Sequence, residues 1–166
     1  MSQRKSPIGV SFVCMGNICR SPTAEAIMRH LVKQAGLDHA ITVDSAGTGS
    51  WHVGEEPDER SQAVGERRGI PLRGRARQFV RSDFARFDYI MAIDREIQAD
   101  LVRMAPGPEA RAKIHLLRSF DPTSPPDADV PDPYYGSMEG FEHVFDICQA
   151  ACQGLLQHLR KTHGLG

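Results

Sequence analysis

A cysteine and an arginine separated by five residues, on a loop between an apolar run and a proline, constrain this chain more than any other feature. Ile8-Gly9-Val10-Ser11-Phe12-Val13 is short, apolar and rich in β-branched residues, which reads as a strand. Cys14-Met15-Gly16-Asn17-Ile18-Cys19-Arg20-Ser21 follows, and then Pro22, a residue suited to the first turn of a helix. From Ala24 the apolar residues Ile27, Met28, Leu31, Val32 and Ala35 recur at helical spacing until Gly36 supplies a stop. The loop therefore joins a strand end to a helix N-terminus.

The same alternation continues. Ile41-Thr42-Val43 reads as a second strand, Ala46 to Ser50 as a flexible connection, and Pro57-Asp58 as the opening of a helix that ends near Gly69. Asp88 to Ile93 is a third strand, Asp94 caps a helix to about Met104, and Ala112 to Leu116 is a fourth strand. A proline-rich loop from Asp121 to Gly136 precedes the last helix. Alternating strands and helices imply a parallel sheet covered on both faces, with ligands gathering beyond the carboxyl ends of the strands. No repeat, low-complexity block or linker divides the 166 residues, so one domain spanning 1–166 is expected.

Gly16 and Asn17 are the residue types that best tolerate positive φ, so the loop can curl until its amides converge. With the helix N-terminus behind them, those amides make a site for a dianionic phosphoryl group, and Arg20 completes the bowl bidentately. The same positive potential stabilises a thiolate at Cys14 and makes it a nucleophile. Ser21 can donate its hydroxyl to that thiolate, which holds it charged and later eases its departure.

Other readings of these residues stay open. Cys14 can be a small core residue at a strand end, and Cys14 with Cys19 can be half a zinc site or a redox pair, although neither explains Arg20-Ser21-Pro22. Cys148 and Cys152 share a helical stripe with Phe141, Phe145, Leu155 and Leu159 and read as core. The Gly47-x-Gly49 pair lacks a completed dinucleotide fingerprint, and no Gly-Lys-Ser/Thr loop is present. The basic run Arg67, Arg68, Arg73, Arg75, Arg77 and Arg81 reads as a solvated face or, less simply, as a surface toward an anionic substrate. The 20 basic and 21 acidic residues leave a net charge of -1, so no global field draws nucleic acid or an acidic membrane. No apolar stretch reaches the roughly 18 residues of a membrane span. With a polar start from Met1 to Pro7 and no signal peptide, the expectation is a cytoplasmic, soluble protein with reduced thiols.

A thiolate displaces an alkoxide or phenoxide only if the leaving oxygen is stabilised, normally by a positioned acid. Asp132 is the candidate: it lies in Val130-Pro131-Asp132-Pro133-Tyr134-Tyr135-Gly136, where two prolines fix the backbone and Tyr134 and Tyr135 can flank an aromatic substrate. Taken alone, such an Asp-Pro pair reads equally as a turn, as does Asp121-Pro122.

Cys14 to Pro22 together with Asp132-Pro133-Tyr134-Tyr135-Gly136 closely resembles the low-molecular-weight protein tyrosine phosphatases (acid phosphatases). Asp44-Ser45-Ala46-Gly47-Thr48, Ala76-Arg77-Gln78 and Phe87-Asp88-Tyr89-Ile90 also look like that family, so the likeness spans nearly the whole chain. The expected fold is α/β: a single three-layer domain with a four-stranded parallel sheet, order 2-1-3-4 and flavodoxin-like, flanked by helices. The resemblance implies a protein-tyrosine-phosphatase that hydrolyses phosphotyrosine and small aryl phosphates through a phosphocysteine, releasing inorganic phosphate without a metal or cofactor. It implies Cys14 as nucleophile, Arg20 as phosphate clamp and Asp132 as general acid and then base. Met15, Gly16, Asn17, Ile18, Cys19 and Ser21 would form the phosphate-binding loop, with Asn17 and Ser45 holding its shape. Trp51, Tyr134 and Tyr135 would wall the cleft, and Cys19 could form a disulfide with Cys14 under oxidants. A monomer acting on phosphotyrosine proteins, with no nucleic-acid or membrane partner, is expected.

The chain departs from the family pattern at Gly74, where many members carry a histidine that supports the loop, while His52 lies on variable ground and takes a solvent-exposed role by default. Arsenate reductases of the same fold rely on further cysteines, and this chain has none between Cys19 and Cys148. Protein-arginine phosphatases usually carry threonine where Ile18 stands. A thiol redox sensor and an idle phosphotyrosine-binding module are the readings from other classes.

Overall fold

The computed structural model describes residues 6–166; of the polar start read from the sequence, Met1 to Lys5 lie outside the described residues. Four strands, β1 (Ile8–Cys14), β2 (Ile41–Gly47), β3 (Tyr89–Ala92) and β4 (Ile114–Leu116), pair in parallel as a single sheet. Their order, β2-β1-β3-β4, is the one expected. The chain leaves β1 toward β2 on one side and returns to β3 on the other, so the sheet's switch point falls at the carboxyl end of β1, where Cys14 ends the strand.

Both faces of the sheet are buried, and the period-2 geometry of a strand sorts the side chains between them. Ile8, Val10, Phe12, Tyr89 and Met91 pack on one side against α1 (Arg20–Gln34), α2 (Glu59–Arg67) and α6 (Met138–His163). Val13, Ile90 and Ala92 pack on the other against α3 (Asp83–Arg86), α4 (Arg95–Met104) and α5 (Pro108–Arg111). Cys148 and Cys152 on α6 are fully buried in the first of these cores, as the stripe with Phe145 and Leu155 implies. Burial there pushes the Cys148 thiol up to about 12.

Capping residues mark several of these helices in the sequence. Asp58 accepts from the Arg60 amide and Asp94 from the Ile97 amide, each closing one of the donors that a helix start leaves open. Gly36 takes φ of 71° just past α1, the left-handed geometry that glycine adopts most easily.

Three expectations change. The stretch Ala46 to Ser50 is not a flexible connection: Ala46 and Gly47 finish β2, and the Thr48 and Gly49 amides donate to the Cys14 and Met15 carbonyls at 2.9 Å each. Strand pairing with β1 and Gln78 fixes what composition alone reads as loose. The third and fourth strands are trimmed to four and three residues, although the Asp88 and Ile93 amides that flank the third still donate to the Gly9 and Val13 carbonyls of β1. Two four-residue helices, α3 and α5, and a 3₁₀ turn at Leu117–Phe120 fall in stretches too short to show periodicity. Among the described residues no helix is long and apolar enough to cross a membrane.

Candidate active site

The loop from Cys14 to Ser21 is held by one asparagine. Asn17 adopts φ of 58°, while Gly16, expected to share that freedom, does not have positive φ. Gly16 instead leaves room for a neighbour: a Cβ there would come within 2.9 Å of His52 Cδ2, and that ring would have to shift. Asn17 Nδ2 donates to Ser21 Oγ at 2.8 Å and to Ser45 Oγ at 2.9 Å, and its Oδ1 accepts the Arg77 amide at 3.0 Å. The two bonds to the serines are buried and the third is partly so, and a lost partner below the surface costs about 1–3 kcal/mol. The Ser45 hydroxyl in turn donates to Glu25 Oε1, and burial holds that carboxyl above the ordinary range. Gly47 lets β2 approach the loop, since a Cβ there would lie 2.5 Å from the Met15 carbonyl oxygen.

Cys14 Sγ lies 2.9 Å from Ser21 Oγ and accepts the Asn17 amide at 3.2 Å. Both contacts place the sulfur beside the amino end of the helix that follows the loop. Behind it, α1 starts with no side-chain cap from Cys19, so its first turn opens toward the loop. Arg20 is 5% exposed; its NH1 donates to Asp94 Oδ2 at 2.7 Å and to the Val130 carbonyl at 2.9 Å. Anchoring one terminal nitrogen leaves the Nε and NH2 edge to meet an anion bidentately. Burial, with Asp58, Cys14 and Asp132 facing it, pushes the Cys19 thiol up to about 12.

A cleft of about 390 Å³ opens over the loop. Cys14, Met15, Gly16, Ile18, Cys19 and Arg20 line it from the loop, while Trp51, His52, Asp132, Tyr134 and Tyr135 line it from elsewhere. Trp51 is 72% exposed, and its indole lies across Gly49 so closely that any Cβ at 49 would overlap the ring. Tyr134 stacks edge-on against Tyr135 with centroids 5.0 Å apart, and the Arg60 guanidinium lies 5.5 Å over the Tyr134 ring. His52 is not simply solvent-exposed: it lines the cleft, packs on Gly16, and pairs with Glu55 at 2.9 Å. Asp132 reaches the cleft from the proline-rich loop, and its carboxylate accepts the Tyr134 amide at 3.0 Å.

All the site residues read from the sequence except Asn17, Ser21 and Ser45 line the cleft directly, and those three support it from beneath. The sequence reading missed three supports. Asp94 reads as a helix cap, which it is, but its second oxygen also holds Arg20. Glu25 and Arg77 give no local signal; Arg77 joins the Asn17 network through its amide and pairs with Asp44 and Asp83. Half of the basic run is spent in such pairs: besides Arg77, Arg67 and Arg68 meet Glu142, and Arg68 also meets Asp146. Gly74, at φ of 88° with open space around it, contributes no group to the loop's support.

A parallel α/β sheet with a thiol, a buried arginine and an anion-ready helix start at its switch point defines a class of phosphoryl-transfer enzymes that use cysteine. The family described as low molecular weight phosphotyrosine protein phosphatase matches residues 9–164. A low molecular weight protein-tyrosine-phosphatase of Streptomyces coelicolor is 50% identical over 92% of this chain and 93% of its own length. The human low molecular weight phosphotyrosine protein phosphatase is 43% identical over 89% of this chain and 93% of its own length. The crystal structure of a protein tyrosine phosphatase from Entamoeba histolytica, with Hepes in the active site, superposes with a TM-score of 0.89 at 40% identity, covering 93% of this chain and 98% of that one. The chain belongs to the low molecular weight phosphotyrosine protein phosphatase family, and it is an enzyme of that family.

Proposed function

We propose that this enzyme hydrolyses phosphotyrosine and small aryl phosphates with Cys14 as nucleophile, Arg20 as phosphate clamp and Asp132 as general acid and then base. The Cys14 thiolate attacks phosphorus, and the bond from phosphorus to the aryl oxygen breaks as Asp132 gives that oxygen its proton. The result is a phosphocysteine and a free phenol. The Asp132 carboxylate then takes a proton from water, the hydroxide attacks phosphorus, and the sulfur leaves as thiolate with inorganic phosphate as the product. Asn17 and Ser45 keep the amides of residues 15–20 converged on the phosphoryl oxygens, and Ser21 donates to the departing sulfur.

The observation that carries this reading is that Cys14, with its two donors, shares one cleft with the anchored Arg20 and with Asp132 from a distant loop. The aromatic walls Trp51, Tyr134 and Tyr135 suit an aryl group. Four free thiols suit a reducing, cytoplasmic setting. Turnover of p-nitrophenyl phosphate tests the assignment. Activity should persist in EDTA, vanish in Cys14→Ser and fall about 10²-fold or more in Asp132→Ala. A Cys14→Ser variant that still turns over, or phosphoarginine turned over faster than aryl phosphates, would sink it.

A further inference from the structure

The Asp121 to Gly136 loop has little to hold it. Between Asp127 and Tyr135, its hydrogen bonds to other parts of the chain fall on Asp129 and Val130 alone, among the described residues. Asp129 Oδ1 accepts the Arg95 amide at 2.9 Å, the first residue of α4, and its carboxylate takes the Arg95 guanidinium as a fork at 3.3 Å to each oxygen. Its carbonyl accepts Arg118 NH1 at 2.9 Å. Next along, the Val130 amide donates to the Ile93 carbonyl at 3.0 Å, and the Val130 carbonyl accepts Arg20. Pro131 then fixes φ, and Asp132 follows.

The amino end of α4 thus receives two carboxylates with different errands. Asp94 caps the Ile97 amide and holds the arginine of the phosphate loop; Asp129 caps the Arg95 amide and holds the loop that carries the acid. We propose that Asp129 is a positioning residue for the Asp132 acid: by docking the loop on the first turn of α4, it keeps the proton donor in register with the phosphate clamp. This inference rests on the reading of Asp132 as general acid. The Arg95 guanidinium draws the Asp129 carboxyl below its usual range, so the fork stays charged through neutral pH. The pair is exposed, and an exposed ion pair contributes little to folding. Its effect should therefore fall on geometry near the acid rather than on the stability of the chain.

Leaving-group dependence separates the two. p-Nitrophenolate is a weaker base than phenolate and depends less on being protonated as it leaves, so a displaced acid penalises phenyl phosphate more. The experiment measures kcat/KM on both substrates for the wild type, Asp129→Ala, Asp129→Asn, Arg95→Ala, Asp132→Ala and Asp129→Ala/Asp132→Ala, together with thermal unfolding midpoints. Asp129→Ala should lose about tenfold more on phenyl phosphate than on p-nitrophenyl phosphate, with its midpoint nearly unchanged. Asp129→Asn, which keeps an acceptor for the helix amide, should recover part of the loss, and Arg95→Ala should show the same bias should Asp129→Ala fail to fold. In the Asp132→Ala background the bias from Asp129→Ala should vanish. Equal losses on both substrates, or a bias that survives without Asp132, overturn the inference. If Asp132→Ala itself slows both substrates equally, the reading of Asp132 as acid fails first, and does so separately from anything measured at Asp129.

Discussion

The Cys14 to Ser21 loop carries its shape in side-chain hydrogen bonds that are nearly all buried, whereas the Asp121 to Gly136 stretch hangs from Asp129 and Val130 and leaves Tyr135 95% exposed. The two meet in a single cleft. Their tasks account for the contrast. A cradle for a dianion works by having its donors in place before the charge arrives, which rewards a rigid, multiply braced loop. A proton donor must meet an aryl oxygen whose ring enters and leaves through the same opening, which rewards a segment fixed at its root and open at its tip.

Asn17→Ala should break the braced side most severely. It places alanine at a left-handed φ and removes the three hydrogen bonds of the amide, for a combined loss of roughly 2–4 kcal/mol in stability by chemical denaturation. Its kcat/KM on p-nitrophenyl phosphate should fall about 10²-fold, because donors to the phosphoryl oxygens lose their convergence. An active, fully stable Asn17→Ala protein would mean that the loop does not depend on its bracing. Pro131→Gly probes the other side at smaller amplitude. Freeing the backbone between Val130 and Asp132 should slow phenyl phosphate by about threefold to tenfold and lower stability by only about 1 kcal/mol, through the extra freedom of the unfolded chain. The gentlest probe is Tyr135→Ala. With its ring almost wholly in solvent, turnover of small aryl phosphates should stay within about twofold, and a larger effect on a phosphotyrosine peptide would show the ring reaching past the cleft to its substrate.

What the sequence made legible divides along the same line. The strand, loop and helix around Cys14 declare themselves through residues adjacent in the chain: the β-branched run, Asn17, Pro22 and the spacing from Ile27 to Ala35. Asp58 and Asp94 are visible as caps because a cap is a local event. Contacts across the fold leave no such trace. Nothing near Asp94 announces that its other oxygen holds Arg20, and nothing near Glu25 announces Ser45. Gly47 and Gly49 look like loosening residues until the Met15 carbonyl and the Trp51 ring are placed against them, when they prove to be sites of close approach. Asp132 is a candidate from its own stretch of sequence, but only likeness to a family lifts it above a turn, because an Asp-Pro pair in an exposed loop has no physical signature of catalysis by itself.

One consequence of the Asn17 amide concerns direction. Its oxygen is committed to the Arg77 amide, so the assignment of its two ends is fixed by a donor that cannot reverse. Both hydrogens on its nitrogen are then delivered to hydroxyl oxygens, and each hydroxyl has to point its own proton elsewhere. For Ser45 that proton goes to Glu25, and for Ser21 it goes to the sulfur at 2.9 Å in preference to the Ala46 carbonyl at 3.4 Å. The amide thus acts as a rectifier, turning two freely rotating hydroxyls into one-way donors. The polarity felt by Cys14 is set by a peptide group on the far side of the loop.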